Sequence, residues 1–318
     1  MKISVIVPIY NMEKFIEGTI SCLKNQKEEE IEFILINDGS TDNTSKLLKQ
    51  LTARDERFNV LEIENQGYGH ACNLGIGKST GEFIAIYEPD DWITTDFYHN
   101  LGKVAKQYTQ ADIIRYNGIF CNENGVLRRL YHWENSFTGK ILDKYTLKRF
   151  WRSHPSICNG LYRKNFILQK SISFCETPSA SFQDAMFIVS LFYANPSIYI
   201  IDETKYIYTI HNLQSIKFVD DKVNFIIKNW KIQKEWINRN GFIDCDFFLY
   251  KSFMQMSSIL KKVSPINRKK LEYNFMCISE QKYYIDNSIP TLKEKLKYIY
   301  FILKNFFRRS IQIKNKRS

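Results

Sequence analysis

The sequence predicts an α/β fold of Rossmann-like type: a mixed, mostly parallel sheet flanked by helices, followed by a helical extension. Three observations carry this. Short apolar runs alternate with segments of helical spacing from Ile3 to Tyr87. The runs are nearly continuous, as strands buried on both faces require. Beyond Lys217 glycine becomes scarce and long helical patterns take over.

Ile3 to Pro8 reads as the first strand, and Glu13 to Gln26 as a helix through the spacing of Phe15, Ile16, Ile20 and Leu23. Glu32 to Ile36 is a strand, and Asp42 to Leu51 a helix with Ser40, Thr41 or Asp42 as N-cap. Asn59 to Ile63, Gly69 to Ile76 and Glu82 to Tyr87 continue as strand, helix and strand. Repeated β-α-β units imply right-handed crossovers and a parallel sheet. Strands are then expected over Ile113 to Phe120, Ser156 to Tyr162, Ile198 to Ile201 and Tyr206 to Ile210, with a helix from Asp184 to Tyr193. Helices over 219–239, 244–263, 268–285 and 291–311 complete the chain. The boundary is placed so that 1–216 form one domain and 217–318 the helical extension.

The chain has 318 residues, enough for one large domain or a domain with an appendage, and an ordinary 44% hydrophobic content. Its net charge of +11 is unevenly spread: from Lys261 onward 15 Lys and Arg face 4 Asp and Glu, which leaves the preceding body neutral. A neutral body with a basic tail points to an anionic surface met by the tail. Within the tail, Leu292, Leu296, Ile299, Leu303 and Phe306 recur at helical spacing among Lys and Arg, the pattern of a basic amphipathic helix lying on an anionic membrane or packing on protein. No RNA-binding motif accompanies the charge, so nucleic acid is not an expected partner. Seven scattered cysteines without Cys-x-x-Cys fit a reducing cytosol better than a disulfide framework or zinc site. Met1-Lys2 runs straight into the first strand without a signal-peptide pattern, and no run of about 18 apolar residues is present. The expected location is the cytoplasm, peripheral to the inner face of the cell membrane.

Two acidic stops follow strands: Asn37-Asp38-Gly39-Ser40-Thr41-Asp42 and Glu88-Pro89-Asp90-Asp91. Carboxylates at strand ends lie in the crevice where open α/β sheets bind ligands. One can hold a base or ribose; the other can hold a divalent cation through hard oxygens. Each also has a plain structural reading. The first can be a capping turn, although Asp38 precedes the next helix by too much to cap it well and is left for a ligand. The second can be a solvated turn, although three clustered carboxylates repel one another unless a cation intervenes. Gly67-Tyr68-Gly69-His70-Ala71-Cys72 nearly matches the dinucleotide fingerprint, but it lacks the third glycine and does not follow the first strand, which argues against NAD. Asp184 opens an apolar helix as either a cap or a general base, and His211 follows a strand as either a structural or a ligating histidine.

In this order the motifs resemble family-2 glycosyltransferases of the GT-A fold. The likeness rests on Ser4-Val5-Ile6-Val7-Pro8-Ile9-Tyr10-Asn11, on Ile36 to Asp42, on Asn65-Gln66-Gly67 through Asn73-Leu74-Gly75-Ile76, and on Gly81 through Asp91. It covers roughly residues 3–95 strongly, continues faintly to about 216, and does not reach the last hundred residues. The nucleotide-sugar half is thereby expected at about 1–95 and the acceptor half at about 96–216. The resemblance implies a UDP-sugar donor lined by Pro8, Tyr10, Asn11, Asp38, Asn65, Gly67 and Asn73, with Glu88 toward the ribose or sugar and Asp91 beside the metal-binding Asp90. It implies Mn²⁺ or Mg²⁺ as cofactor, His211 completing the metal and diphosphate site, Asp184 as catalytic base after Gln183, and Gly160 in a glycine loop near the acceptor. Glu88 replaces the usual aspartate. Cys72 replaces the arginine of the common Ala-Arg-Asn, for which Lys78 or Arg115 are candidate substitutes. The segment Glu176 to Asp184 further resembles bacterial enzymes that build surface polysaccharides. The reaction implied is inverting transfer to the hydroxyl of a glycan or lipid-linked glycan, with homo-oligomerisation through the C-terminal helices possible. A catalytically silent binding module of the same fold is the alternative.

Overall fold

The computed structural model describes residues 1–123, 125–132, 137–143, 156–178, 182–210, 219–242, 246–260 and 262–279. The expected helix over 291–311 and His211 lie outside the described residues.

Strand β1 (Ile3–Ile9) is buried along its whole length, which is why its run of β-branched residues has no polar alternation. It pairs in parallel with β2 (Ile31–Asp38) and with β4 (Phe83–Ile86). β2 pairs in parallel with β3 (Phe58–Ile63). Helices α1 (Ile16–Lys24), α2 (Thr44–Thr52) and α3 (Tyr68–Lys78) make the crossovers. Ile16, Ile20 and Leu23 of α1 are all but fully buried, so the predicted stripe is the one that faces the sheet. Each such side chain taken from water contributes about 1.5–3 kcal/mol.

The second half departs from simple alternation. The run read as one strand from Ile113 is two: β6 (Ile113–Tyr116) and β7 (Gly118–Glu123) belong to different sheets. Asn117 makes the break. It is fully buried, its amide N–H donates to the carbonyls of Ile201 and Glu203, and its side chain donates to Asp202 at 2.8 Å. β9 (Gly160–Arg163) is inserted antiparallel between β4 and β6. With β10 (Ile198–Ile201) at the far edge, the main sheet runs β10-β6-β9-β4-β1-β2-β3. β5 (Trp92–Ile93), β11 (Tyr206–Ile210), β7 and β8 (Val126–His132) form a second, four-stranded sheet in the order β5-β11-β7-β8. Helices α4 (Phe97–Gln107), α5 (Lys164–Gln169) and α6 (Gln183–Ala194) complete this body.

Helices α7 (Val219–Arg239), α8 (Asp246–Ile259) and α9 (Pro265–Ile278) follow, close to expectation. α7 buries Val223, Ile226, Ile227, Trp230 and Ile237 on one stripe. It is tied to α6 and its approach by polar bonds: Gln233 to Ser190 at 2.9 Å, and Thr177 to Asn229 at 2.9 Å. The buried Trp230 indole donates to Gln255 of α8 at 2.8 Å.

The two sheets are joined at Asp91. Its carboxylate, 3% exposed, accepts a hydrogen bond from the Tyr206 hydroxyl and another from the Thr209 amide at 2.8 Å. Its own carbonyl accepts from the buried Tyr87 hydroxyl at 2.6 Å. Asp91→Ala should therefore destabilise the fold, at about 1–3 kcal/mol for each polar group left buried without its partner. Urea unfolding should show a lower midpoint with circular dichroism otherwise native. An unchanged midpoint would mean that the carboxylate does not join the sheets.

Candidate active site

The parallel strands β1 and β2 end side by side, and their loops are stapled together. Asn11, in left-handed backbone (φ 52), donates its amide to Ser40 Oγ at 2.9 Å and accepts from the Thr41 amide at 2.8 Å. Asp42 accepts from the amides of Glu13 and Thr44 at 3.2 and 3.0 Å. The N-cap of α2 is Asn43, not one of the three expected residues; Asp42, one residue earlier, reaches the first helical amide. Pro8 is buried within β1, whereas Tyr10 is 45% exposed above the strand end.

Asp38, expected to be left for a ligand, instead spends both oxygens on the chain. It accepts from the amides of Gln66 and Gly67, each at 2.8 Å. It does not cap α2, as its spacing implied; it holds the two residues that lead into α3. Gly39 (φ +70) has to be glycine here, because a Cβ would lie 2.7 Å from the Asn65 amide. Pro8, Tyr10, Asn11, Asp38, Asn65 and Gly67 are thus gathered at the ends of β1 and β2 and the start of α3.

Next to them lies the acidic turn. The Asp91 amide donates to the Glu88 carbonyl at 3.1 Å, closing a turn with Pro89 at its second position and Asp90 at its third. Asp90 is partly exposed at the tip. Glu88 accepts from the Tyr68 hydroxyl at 2.6 Å. Burial and the adjacent Asp90 charge push the Glu88 carboxyl up to about 8, with Asp184 adding to the rise. Burial and Asp90 also raise Asp91. Asp91, expected beside the donor, points inward to Tyr206 and Thr209. Its role is to hold the turn, because a buried carboxylate has to be hydrogen-bonded.

Asp184 stands at the second position of α6 and is exposed. The N-cap is Phe182, in left-handed backbone at φ 65, so Asp184 does not occupy the cap. Its charge reaches both Glu88 and the Cys72 thiol, whose pKa burial pushes up. Gln183 is buried and donates to the carbonyl and hydroxyl of Thr177 at 3.2 and 3.0 Å, so it shapes the approach to α6 from within. Asn73, expected on the donor, is spent on the same approach. It donates to the Phe174 carbonyl at 3.0 Å and to Glu176 at 2.8 Å, and accepts from the Phe174 amide at 2.9 Å. Gly160, expected in a loop, opens strand β9 opposite Arg115. A Cβ there would lie 2.4 Å from the Ile114 carbonyl oxygen, so close strand packing explains the glycine. Arg115 is buried in β6. Lys78 closes α3, about 15 Å along the axis from Tyr68, and does not stand in for the arginine replaced by Cys72.

Sequence reasoning passed over Tyr68, Tyr206 and Glu176. Tyr68 follows Gly67 directly, and a hydroxyl one residue past a capped glycine was the available signal. Tyr206 and Thr209 are three residues apart on β11, so their side chains point to opposite faces; Asp91 meets the hydroxyl of one and the backbone amide of the other, and nothing in the sequence names it as their partner.

The acidic turn suits a hard divalent cation in charge and donor type: the Asp90 charge crowds Glu88, and a cation would relieve that repulsion. Among the described residues no three His, Cys, Asp or Glu side chains converge on one point. His211, next after β11, lies outside them.

Comparison with known proteins agrees with this geometry. The family description Glycosyl transferase family 2 matches residues 4–179. Glycosyltransferase GlyA of Streptococcus pneumoniae is 32% identical over 146 residues, 46% of this chain and 21% of that protein. The putative glycosyltransferase EpsH of Bacillus subtilis is 37% identical over 118 residues, 37% of this chain and 34% of that protein. The chain therefore spans only a fifth to a third of the length of these curated relatives. A crystal structure of S. aureus TarS 1–349 superposes with a TM-score of 0.65 at 20% identity, covering 87% of this chain and 81% of that one, and the same fragment in complex with UDP gives 0.64. The likeness to TarS establishes the shared fold. With its mostly parallel sheet, its acidic turn after β4 and a family match over more than half its length, the chain belongs to glycosyltransferase family 2 and has the GT-A fold.

Proposed function

We propose that this chain transfers a sugar from a UDP-sugar to an acceptor hydroxyl with inversion at the anomeric carbon. The observation that carries the reading is the acidic turn after β4, closed between Glu88 and Asp91 with Asp90 at its tip. Structures of TarS in complex with UDP and with UDP-GlcNAc support the choice of donor. A mannosyltransferase of Pyrobaculum calidifontis, in complex with GDP-Man and Mn²⁺, supports the cation at a TM-score of 0.51.

In this reading residues 1–216 form the catalytic domain, and 217–318 the extension. Tyr10 and the stapled loops around Asn11 and Asp38 border the nucleotide. Asp90, with His211, would hold Mn²⁺ or Mg²⁺. Such an ion supplies Lewis-acid stabilisation of the departing diphosphate. Asp184 accepts the proton of the acceptor hydroxyl as that oxygen bonds to the anomeric carbon. The bond from that carbon to the diphosphate breaks, and its electron pair leaves with UDP. A single base suits one displacement and hence inversion. The acceptor is a bacterial surface glycan or its lipid-linked precursor, reached at the inner face of the cell membrane; the likeness of Glu176 to Asp184 to enzymes that build surface polysaccharides favours this class.

Asp90→Asn should abolish metal-dependent UDP binding with the fold intact, since a neutral amide is a poor ligand for a hard cation. Calorimetry with and without Mn²⁺ reads this directly, and unchanged metal-dependent affinity would remove Asp90 from the site. Asp184→Asn should keep donor affinity but lose transfer by at least about 10²-fold, the scale of general-base catalysis. Product formation from candidate UDP-sugars is the readout, and near-normal turnover would leave Asp184 a structural role only.

A further inference from the structure

Strand β8 closes one end of the four-stranded sheet, so among the described residues its outer row of backbone groups faces no partner strand. Bare edges recruit other molecules, and proteins ordinarily shield them with charge or cover. Here the edge is both charged and apolar. Gly125 (φ +82) turns the chain, with its amide held by Asn122 at 3.0 Å. Val126, Leu127 and Leu130 are then 50, 53 and 53% exposed. Arg128 and Arg129 lie between them, also exposed. Side chains alternate between the two faces of a strand, so this edge shows apolar and cationic groups on both. The Arg129 guanidinium lies over the Phe120 ring, 6.0 Å from its centre, which anchors it to β7.

Three occupants can be weighed by chemistry. A soluble polyanion would engage the arginines but gain nothing from three exposed aliphatic side chains. A second copy paired edge to edge about a two-fold axis would set Arg128 and Arg129 against their own counterparts, and like charges facing across a ladder are destabilising. An anionic bilayer uses both features: aliphatic side chains enter the boundary between headgroups and acyl chains, while guanidinium groups meet lipid phosphates. We propose that the β7–β8 hairpin docks on the surface of an anionic lipid bilayer. The hairpin shares its sheet with β5, which starts at Trp92 directly after the acidic turn. Docking would therefore set the sheet beside the acidic turn against the membrane. The contact does not depend on the transfer reaction or on the basic tail, and its test reads lipid binding alone.

The full chain is mixed with phosphatidylcholine vesicles made with or without phosphatidylglycerol, and binding is read by flotation and by hydrogen–deuterium exchange. Amides of residues 118–132 should exchange more slowly with anionic vesicles than with neutral ones. The double variant R128E/R129E should lose at least about tenfold in partitioning, since each basic residue near an anionic surface is worth about fivefold. The double variant L127S/L130S should bind more weakly, and its residual binding should disappear with added salt. Thermal melts identify any misfolded variant, in which case exchange on the unaltered protein decides. The proposal is overturned if hairpin amides are unaffected while the protein floats, or if folded variants float like the parent. It is equally overturned if dextran sulfate in solution protects the hairpin as well as vesicles do, or if protection rises with protein concentration without lipid.

Discussion

A carboxylate buried between two sheets sets the geometry of everything around it. Asp91 could not remain charged in that place unpaired, since desolvating an isolated carboxylate costs several kcal/mol. The Tyr206 hydroxyl and the Thr209 amide of β11 pair its two oxygens, while Tyr87 holds its backbone carbonyl. Once Asp91 is held inward, the turn closed between its amide and the Glu88 carbonyl puts Asp90 at the outer tip. Pro89 limits how that turn can relax. Two adjacent aspartates thus take different places: one holds the fold together and the other lies partly exposed at the tip of the turn.

The parallel half of the fold was legible because its signals are local. β1 is buried on both faces and reads as an unbroken apolar run, and α1 buries the stripe that its spacing announces. The other half was less legible because its decisive contacts are distant. Asn117 divides one apolar run between two sheets by bonding to residues 201–203, and no window around Ile113 contains that information. β8 was missed because both of its faces are wet, leaving no alternation to detect.

The acidic motifs were legible as motifs but not as roles. Asp38, Asn73, Gln183 and Asp91 looked like ligand-facing polar groups, yet each is committed to amides, carbonyls or hydroxyls of the chain itself. A polar side chain near a crevice can hold the walls as readily as it holds a ligand. Only partner geometry separates the two, and the sequence does not carry it. Asp184 stands past the N-cap of α6, which is Phe182, so the cap expected there is not its place.

The Asn73 side chain behaves as a peptide group turned sideways. It gives a hydrogen to the Phe174 carbonyl and takes one from the Phe174 amide, the exchange that a neighbouring strand would make. Its other hydrogen goes to Glu176, which also meets the His70 ring at 3.1 Å. Helix α3 starts just after the two amides that Asp38 holds, and through Asn73 it grips the segment leading to α6. Aspartate at this position could accept but not donate, and would confront Glu176; alanine could do neither. In evolutionary terms the Asn73 amide, with His70 beside it, ties α3 to the approach to α6, so residue 73 and the 174–176 segment are constrained to drift as a pair.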